Sequence, residues 1–271
     1  MFQNIPNEMI IEITKYLTYK DIIVLSCCDR HLQSLFTNIY WRNLYTKLNI
    51  PILNDIELDN DVNFSRLIVE LEDKILLHEL NKVSKTNSDV LIYACTKGYI
   101  EIVKILITIP IIDPSSSLVN YNLMKHLNSY KFKFALFTDK GMININNYSF
   151  IFSACLGYDE IVELLLKHPK VDPTAIDNRS IRWTCRYGHT KVLKTLLKDG
   201  RIDPGVRNNY CVRESLENNH KDVTKNLLKS DKIIKTKHGN TVNLKWSSIY
   251  TGDCNVTILL DDNDNVLSYR V

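Results

Sequence analysis

Two histidines and three cysteines are the side chains with which this chain could hold a soft metal or activate a thiolate: His189 and His220, with Cys155, Cys185 and Cys211 nearby in sequence. Imidazole nitrogen and thiolate sulfur are the ligands zinc prefers, but a structural zinc site pairs Cys with Cys and His with His at close spacing, and neither kind of pair occurs among them. The two histidines stand 31 residues apart, and Tyr99 and Tyr158 hold the equivalent place earlier in the chain. That spacing predicts a repeated hydrogen-bonding position, with the cysteines as small buried core residues. "DDNDN" (Asp261 to Asn265) offers carboxylates to calcium but lacks the Gly and the distal Glu of such a loop. It predicts a turn between "NVTILL" and "VLSYRV", two runs rich in β-branched residues. No Gly-rich phosphate loop and no Ser, His, Asp arrangement accompanies these groups. The residues point to a non-catalytic chain with no cofactor and no metal.

Composition narrows the class further. At 271 residues, 45% hydrophobic and 24% charged, the chain is that of an ordinary folded protein, far from disordered or collagen-like extremes. No apolar run is long enough to span a membrane, and "MFQNIPNEMIIE" carries no basic leader or cleavage site, so the expectation is a chain neither secreted nor membrane-spanning. Seven cysteines without a CxxC pair or a disulfide spacing predict reduced thiols and a cytosolic or nuclear location. Net charge is +3, but Arg179 to Lys237 carries 15 Lys/Arg against 6 Asp/Glu, whereas Leu53 to Val90 carries 4 against 9. The two stretches are built to face different surroundings.

The elements that must position these groups come in repeats. "NYSFIFSACLGYDEIVELLLKHPKVDP", "NRSIRWTCRYGHTKVLKTLLKDGRIDP" and "NYCVRESLENNHKDVTKNLLKSDKI" begin at Asn147, Asn178 and Asn209, 31 residues apart. An earlier copy begins at Ser88, and a degenerate one, "NYNLMKHLNSYKFKFALFTDKGMININ", lies between. The leading Asn or Ser predicts a helix N-cap. Six residues on stands a small side chain, Ala94, Ser153, Thr184 or Ser215, where neighbouring helices approach. Gly98, Gly157, Gly188 and Asn219 then suit a left-handed helix end. A second helix with paired apolar residues follows, and Asp-Pro closes three of the units.

This helix, tight turn, helix and outward loop resembles the ankyrin repeat, above all the Asn-rich variant with Asp-Pro loops common in giant DNA viruses and some protists. The resemblance covers residues 88–236 with about five units, the second degenerate and the fifth without its Asp-Pro.

Ahead of the repeats, "IPNEMIIEITKYLTYKDIIVLS" places Met9, Ile10, Ile13 and Leu17 at helical spacing behind Pro6. Asp21 predicts the cap of a second helix, and "YWRNLYTKL" a third. Ile5-Pro6, Glu8, Ile13, Leu17, Asp21-Ile22, Leu25-Ser26-Cys27, Arg30, Trp41 and Leu44-Tyr45 resemble the F-box motif, with Ile5 in place of the commoner Leu and Cys28-Asp29 as a further departure. An F-box implies docking on the Skp-type adaptor of a cullin-RING ubiquitin ligase, here through Ile5, Pro6, Met9, Ile10, Ile13, Leu17, Ile22, Leu25 and Trp41. The other reading is a helical cap that shields the open end of the repeats.

The expected fold is therefore all-α: a three-helix F-box-like module in residues 1–50, a connecting helical segment in 51–87 carrying Leu67, Leu71, Ile75 and Leu80, the ankyrin-like solenoid in 88–236, and a small β-hairpin cap in 237–271. Ankyrin-type binding implies a target face of Arg179, Arg182, Arg186, Tyr187, Arg207, Asn208, Tyr210 and Arg213, with Trp183 aligned to a core position. Its positive charge predicts an acidic protein target, with nucleic acid the weaker alternative. The function expected is a substrate-recruiting ligase subunit; the alternative is a repeat interaction module, scaffold or inhibitor, that recruits no ligase.

Overall fold

The computed structural model describes residues 6–17, 22, 67, 70, 71, 89–110, 112–116, 137, 138, 141, 142, 147–248 and 252–271. The chain divides into two compact units, Met1–Ala94 with Tyr99–Ile112, and Cys95–Gly98 with Asp113–Val271.

In the first unit, α1 (Asn7–Thr14) starts behind Pro6, whose carbonyl accepts the N–H groups of Met9 and Ile10 at 3.0 and 3.1 Å. Proline suits this place because its missing N–H would have no helical partner there. Ile10 and Thr14, one turn apart, form the buried side of α1. Ile22, Leu67 and Leu71 are buried too, the last two helical as the connecting segment requires. The buried Glu70 carboxylate accepts the N–H groups of Glu101 and Ile102 at 3.3 and 2.9 Å, closing the N-terminus of α3 (Ile100–Leu106). A helix start leaves such donors unsatisfied and carries partial positive charge, so an acceptor with negative charge fits. The expected second and third F-box-like helices, with Ile5, Leu25 and Trp41, and Ile75 and Leu80 of the connecting segment, lie outside the described residues.

α2 (Asp89–Lys97) ends at Gly98, at φ 76°. In the second unit three helix pairs follow one another: α4 (Tyr148–Leu156) with α5 (Asp159–Leu166), α6 (Ala175–Tyr187) with α7 (Thr190–Leu197), and α8 (Val206–Glu217) with α9 (Lys221–Leu228). α4, α6 and α8 pack in one row and α5, α7 and α9 in another. The second helix of each pair buries one stripe, Ile161, Val162 and Leu165, then Val192, Leu193 and Leu196, then Val223 and Leu227. Each such side chain contributes about 1.5–3 kcal/mol when fully buried. Ser153, Thr184 and Ser215 are fully buried where the first helices meet, and their hydroxyls return to backbone carbonyls one turn or less behind.

Two findings correct the all-α expectation. The C-terminal segment is a four-stranded antiparallel sheet, β3 (Lys235–His238), β4 (Thr241–Ser248), β5 (Gly252–Leu260) and β6 (Val266–Arg270), in that spatial order. The period-two runs Val242, Leu244 and Val256, Ile258, Leu260 supply its buried face. β3 escapes a pattern search because "KTKH" has no apolar residue; it is an edge strand joined to β4 by a two-residue turn with Gly239 at φ 57°. The sheet closes the helical stack, β4 against α8 and β6 against α9, and Lys225 of α9 donates to Asn265 Oδ1 at 2.6 Å. Asp261 accepts the N–H groups of Asn263 and Asn265 at 2.9 and 2.8 Å, which makes "DDNDN" a turn.

The second correction concerns the degenerate repeat. Phe137–Thr138 (β1) pairs antiparallel with Gly141–Met142 (β2) where a helix pair is expected. Among the described residues no helix is long and apolar enough to cross a membrane.

Candidate interaction surfaces

The outward loops of the second unit are built by the repeated Asn and Asp. Asn147 stands before α4 at φ 64° and makes no side-chain cap; its Oδ1 instead accepts the N–H of Asp172, 25 residues on, at 2.9 Å. Asn178 does the same for Asp203 at 2.9 Å. The N-cap expectation for these residues is thus corrected: asparagine is used because it tolerates left-handed backbone and carries an acceptor that pins the loop's far end. Ser88 lies outside the described residues. In each Asp-Pro, the carboxylate accepts the N–H two residues on, Asp113 from Ser115 at 2.9 Å, Asp172 from Thr174 at 2.9 Å and Asp203 from Gly205 at 2.8 Å. That is an Asx turn, with Pro holding φ at its second residue.

Left-handed backbone extends over Ile176, Asp177 and Asn178, and again over Arg207, Asn208 and Asn209. A β-branched residue at φ 57°, as Ile176 is, is strained and must be held by its surroundings. The Arg182 guanidinium does the holding, donating to the carbonyls of Ile176 and Asp177 at 2.9 Å each.

The expected arginine and tyrosine face is therefore largely spent on the fold. Arg182 and Arg213 are buried, and their guanidinium carbons lie 5.4 and 4.7 Å from the ring centre of Tyr210, one from each of two adjacent repeats. Arg213 also reaches Glu214 at 3.3 Å. These two are positioning groups inside the stack, and the expectation that they contact a target is corrected on that ground. Burial chiefly lowers the affinity of Arg179 and Arg182 for their protons and raises the Tyr210 hydroxyl, to which Glu214 adds. Arg207 is exposed but paired with Asp177 of the preceding repeat at 2.5 Å, and this pairing holds the Asp177 carboxyl below its ordinary range. Arg186 is exposed with Glu214 at 3.8 Å. Asn208 is exposed; Tyr187 and Tyr210 are half-buried. Arg179 is half-buried and lies 5.3 Å from the ring centre of Trp183, itself half-buried and edge-on to Tyr187.

His189 and His220 bridge repeats. His189 Nε2 donates to the Cys155 carbonyl at 2.8 Å, and His220 Nε2 to the Arg186 carbonyl at 3.0 Å. Their rings lie over Gly157 and Gly188, where a Cβ would stand 2.6 and 2.5 Å from Nδ1. Tyr158 covers Gly98 in the same way. Cys155, Cys185 and Cys211 are buried, and burial raises the Cys185 thiol well above its ordinary range.

Two other surfaces among the described residues carry outward side chains that bear on binding. On α1 and the residues flanking it in the first unit, Pro6 is exposed and Met9, Ile13 and Tyr16 are 57%, 50% and 85% exposed, while Leu17 is half-buried. Ile10 and Ile22, assigned to an adaptor contact from sequence, are 5% and 1% exposed and belong to the core. Tyr16 is the addition that spacing overlooked. In the second unit a groove of about 650 Å³ runs between the start of α8 and strands β4 and β5. Of its lining residues the sequence pointed to Asn208, to Asn209 as a repeat start and to Asp203 in its Asp-Pro; the lysines, Ile234 and the strand residues that complete it carry no motif. No family model matches the chain, and no curated protein or solved structure matches it.

Proposed function

We propose that the chain is a non-catalytic recruiting subunit that docks on a Skp-type adaptor of a cullin-RING ubiquitin ligase through α1 and presents a protein target on its stacked, ankyrin-like helix pairs. The observation that carries this reading is the uncovered apolar side of α1. Met9 and Ile13 lie one turn apart, Pro6 precedes them and Tyr16 follows, so the eight-residue helix turns three of its larger apolar groups outward, Ile11 included, and Tyr16 just past its end adds a fourth. Covering Met9, Ile13 and Tyr16 would contribute roughly 1–2 kcal/mol each from their exposed part, enough in sum to offset a good share of the cost of association. The cytosol or nucleus, where such ligases work, is the compartment proposed.

The test is co-purification of adaptor and cullin from cells expressing the tagged full chain, with Met9→Glu/Ile13→Glu as the variant. Both side chains are at least half exposed, so the fold survives the change while the docking face is lost. Recovery of adaptor and cullin with the parent but not the variant supports the proposal. Equal recovery with both, or none with the parent, leaves the repeat module without ligase recruitment as the account.

A further inference from the structure

We propose that the groove between the last helix pair and the C-terminal sheet is a binding site for an acidic, extended peptide carrying an apolar side chain. The proposal rests on reading the second unit as the target-capturing part, and not on adaptor docking. At about 650 Å³ the groove is of the size that takes a ligand segment of several residues.

Its chemistry is that of an anion receptor. Lys232, Lys235 and Lys245 line it, and Asp203 is the acidic residue among the described lining groups. The Asp203 carboxylate already accepts the N–H of Gly205 at 2.8 Å. Two of the ammonium groups are held in place by the fold. Lys232 Nζ donates to the carbonyls of Gly200 and Ile202 at 2.7 Å each, and Lys235 Nζ to Ser230 O at 2.7 Å. An ammonium has three N–H donors, so each keeps at least one to offer, and its side-chain entropy has been spent before any ligand arrives. Asn243 accepts the Thr257 hydroxyl with its Oδ1 at 2.7 Å, which fixes the amide and leaves its NH2 as the donor end. Asn255 adds an exposed amide from the neighbouring strand, able to pair with a peptide backbone.

Ile234 supplies the apolar contact. It occupies the place where Asp172 and Asp203 stand in the preceding repeats, 31 residues apart, and it is 86% exposed at the groove. Where the earlier units close with Asp-Pro, the chain here turns up into β3 and leaves this side chain outward. None of the described lining residues is aromatic, so these residues give a nucleic-acid base no platform to stack on. Carboxylates on a peptide, with one aliphatic residue over Ile234, meet both features.

The experiment uses the purified full chain and a fluorescein-labelled Glu-rich peptide with one central Leu, read by anisotropy. The Lys-for-Glu version of the peptide and an oligothymidylate serve as comparisons. Saturable binding of the acidic peptide alone, weakened about tenfold by Lys245→Glu with Ile234→Asp and relieved by salt, supports the proposal. Both substituted side chains are exposed, and an unchanged urea midpoint shows that the fold is intact. No saturable binding, equal binding by the variant, or tighter binding of oligothymidylate overturns it. Adaptor co-purification on the same variant separates the two ideas: loss of peptide binding with adaptor retained touches only the groove, and the converse touches only ligase recruitment.

Discussion

The contact between Gly157 and His189 carries a sharp prediction about what joins one repeat to the next. Gly157 sits at φ 85°, and a Cβ there would stand 2.6 Å from His189 Nδ1, while His189 Nε2 holds the Cys155 carbonyl at 2.8 Å. Gly157→Ala therefore does two things. It forces alanine into left-handed backbone at a cost of about 1 kcal/mol, and it pushes the imidazole off its carbonyl acceptor for about 1 kcal/mol more. His189→Ala alone removes the bond and the ring packing and costs roughly 1–3 kcal/mol. In the double variant the clash has no partner, so alanine at 157 adds only its backbone cost. The cycle should close with a coupling of about 1 kcal/mol, measured by urea unfolding of the full chain followed by circular dichroism. Gly200→Ala is the control, since nothing lies within 4 Å of a Cβ there and its φ is not left-handed, and it should stay within about 0.5 kcal/mol. Additive effects at 157 and 189, or a cost at 157 no larger than at 200, would refute the claim that the imidazole and the glycine form one inter-repeat joint.

Three further outcomes follow from the same geometry. Asn178→Ala should lower stability by roughly 1–2 kcal/mol in urea unfolding, since it orphans the Asp203 N–H and puts a residue ill-suited to φ 54° in its place; Asn178→Asp should recover most of that. Ile10→Ala should cost about 2–4 kcal/mol and Met9→Ala within about 0.5 kcal/mol, because only the first is buried; a larger loss at Met9 would mean that α1 faces the other way, and equal losses that the two sides are buried alike. Acid should destabilise the second unit: the Arg201 side chain holds Asp199 below the ordinary carboxylate range, and the Ser115 hydroxyl and N–H lower Asp113 against the opposing effect of burial. A carboxyl whose folded pKa is depressed stabilises above its unfolded value, near 3.8, and loses that contribution as pH falls through the lower folded value. The urea midpoint should hold from neutrality to about pH 5 and fall below about pH 4, less steeply in Asp199→Asn.

What could be read from the sequence depended on whether a role shows in local spacing. The pairing of helices, the small residues at the helix contact and the left-handed Gly98, Gly157 and Gly188 follow from a 31-residue period and from the chemistry of single residues, and the structure has them at these places. The partners of Asn147 and Asn178 are 25 residues away, so a rule about N-caps, which looks three residues ahead, assigns them the wrong bond. Arg182 and Arg213 look like surface charges because arginine is usually exposed; the acceptors that bury them are backbone carbonyls and a tyrosine face, which no residue count reveals. β3 is invisible for a third reason, since an edge strand needs a partner and not an apolar side. On α1 the helical spacing was legible, but which side faces the core was not: Ile10 and Ile13 are equally apolar, and only the packing separates them.

The last repeat shows how a departure from the period creates surface. In the two preceding units the Asn at the start of the repeat pins the loop at its end, and the charged groups pair across the step, Arg207 with Asp177 and Lys232 with carbonyls of the loop before it. Those positions are internally satisfied and have little left to offer a partner. Asn209 has no Asp-Pro loop to hold, and its amide donates instead to the Lys245 carbonyl of β4 at 2.7 Å. One asparagine, kept in the same register with its backbone at φ 57°, thus changes from a loop pin into the tie that seats the sheet on the stack. Seating the sheet there lays a row of strand amides and lysines beside a loop that has lost its acidic residue, and Ile234 is left outward by the same replacement. The groove and its positive, donor-rich lining are consequences of how the array ends, which is why the chemistry available to a ligand gathers at that end and not along the arginine-rich helices.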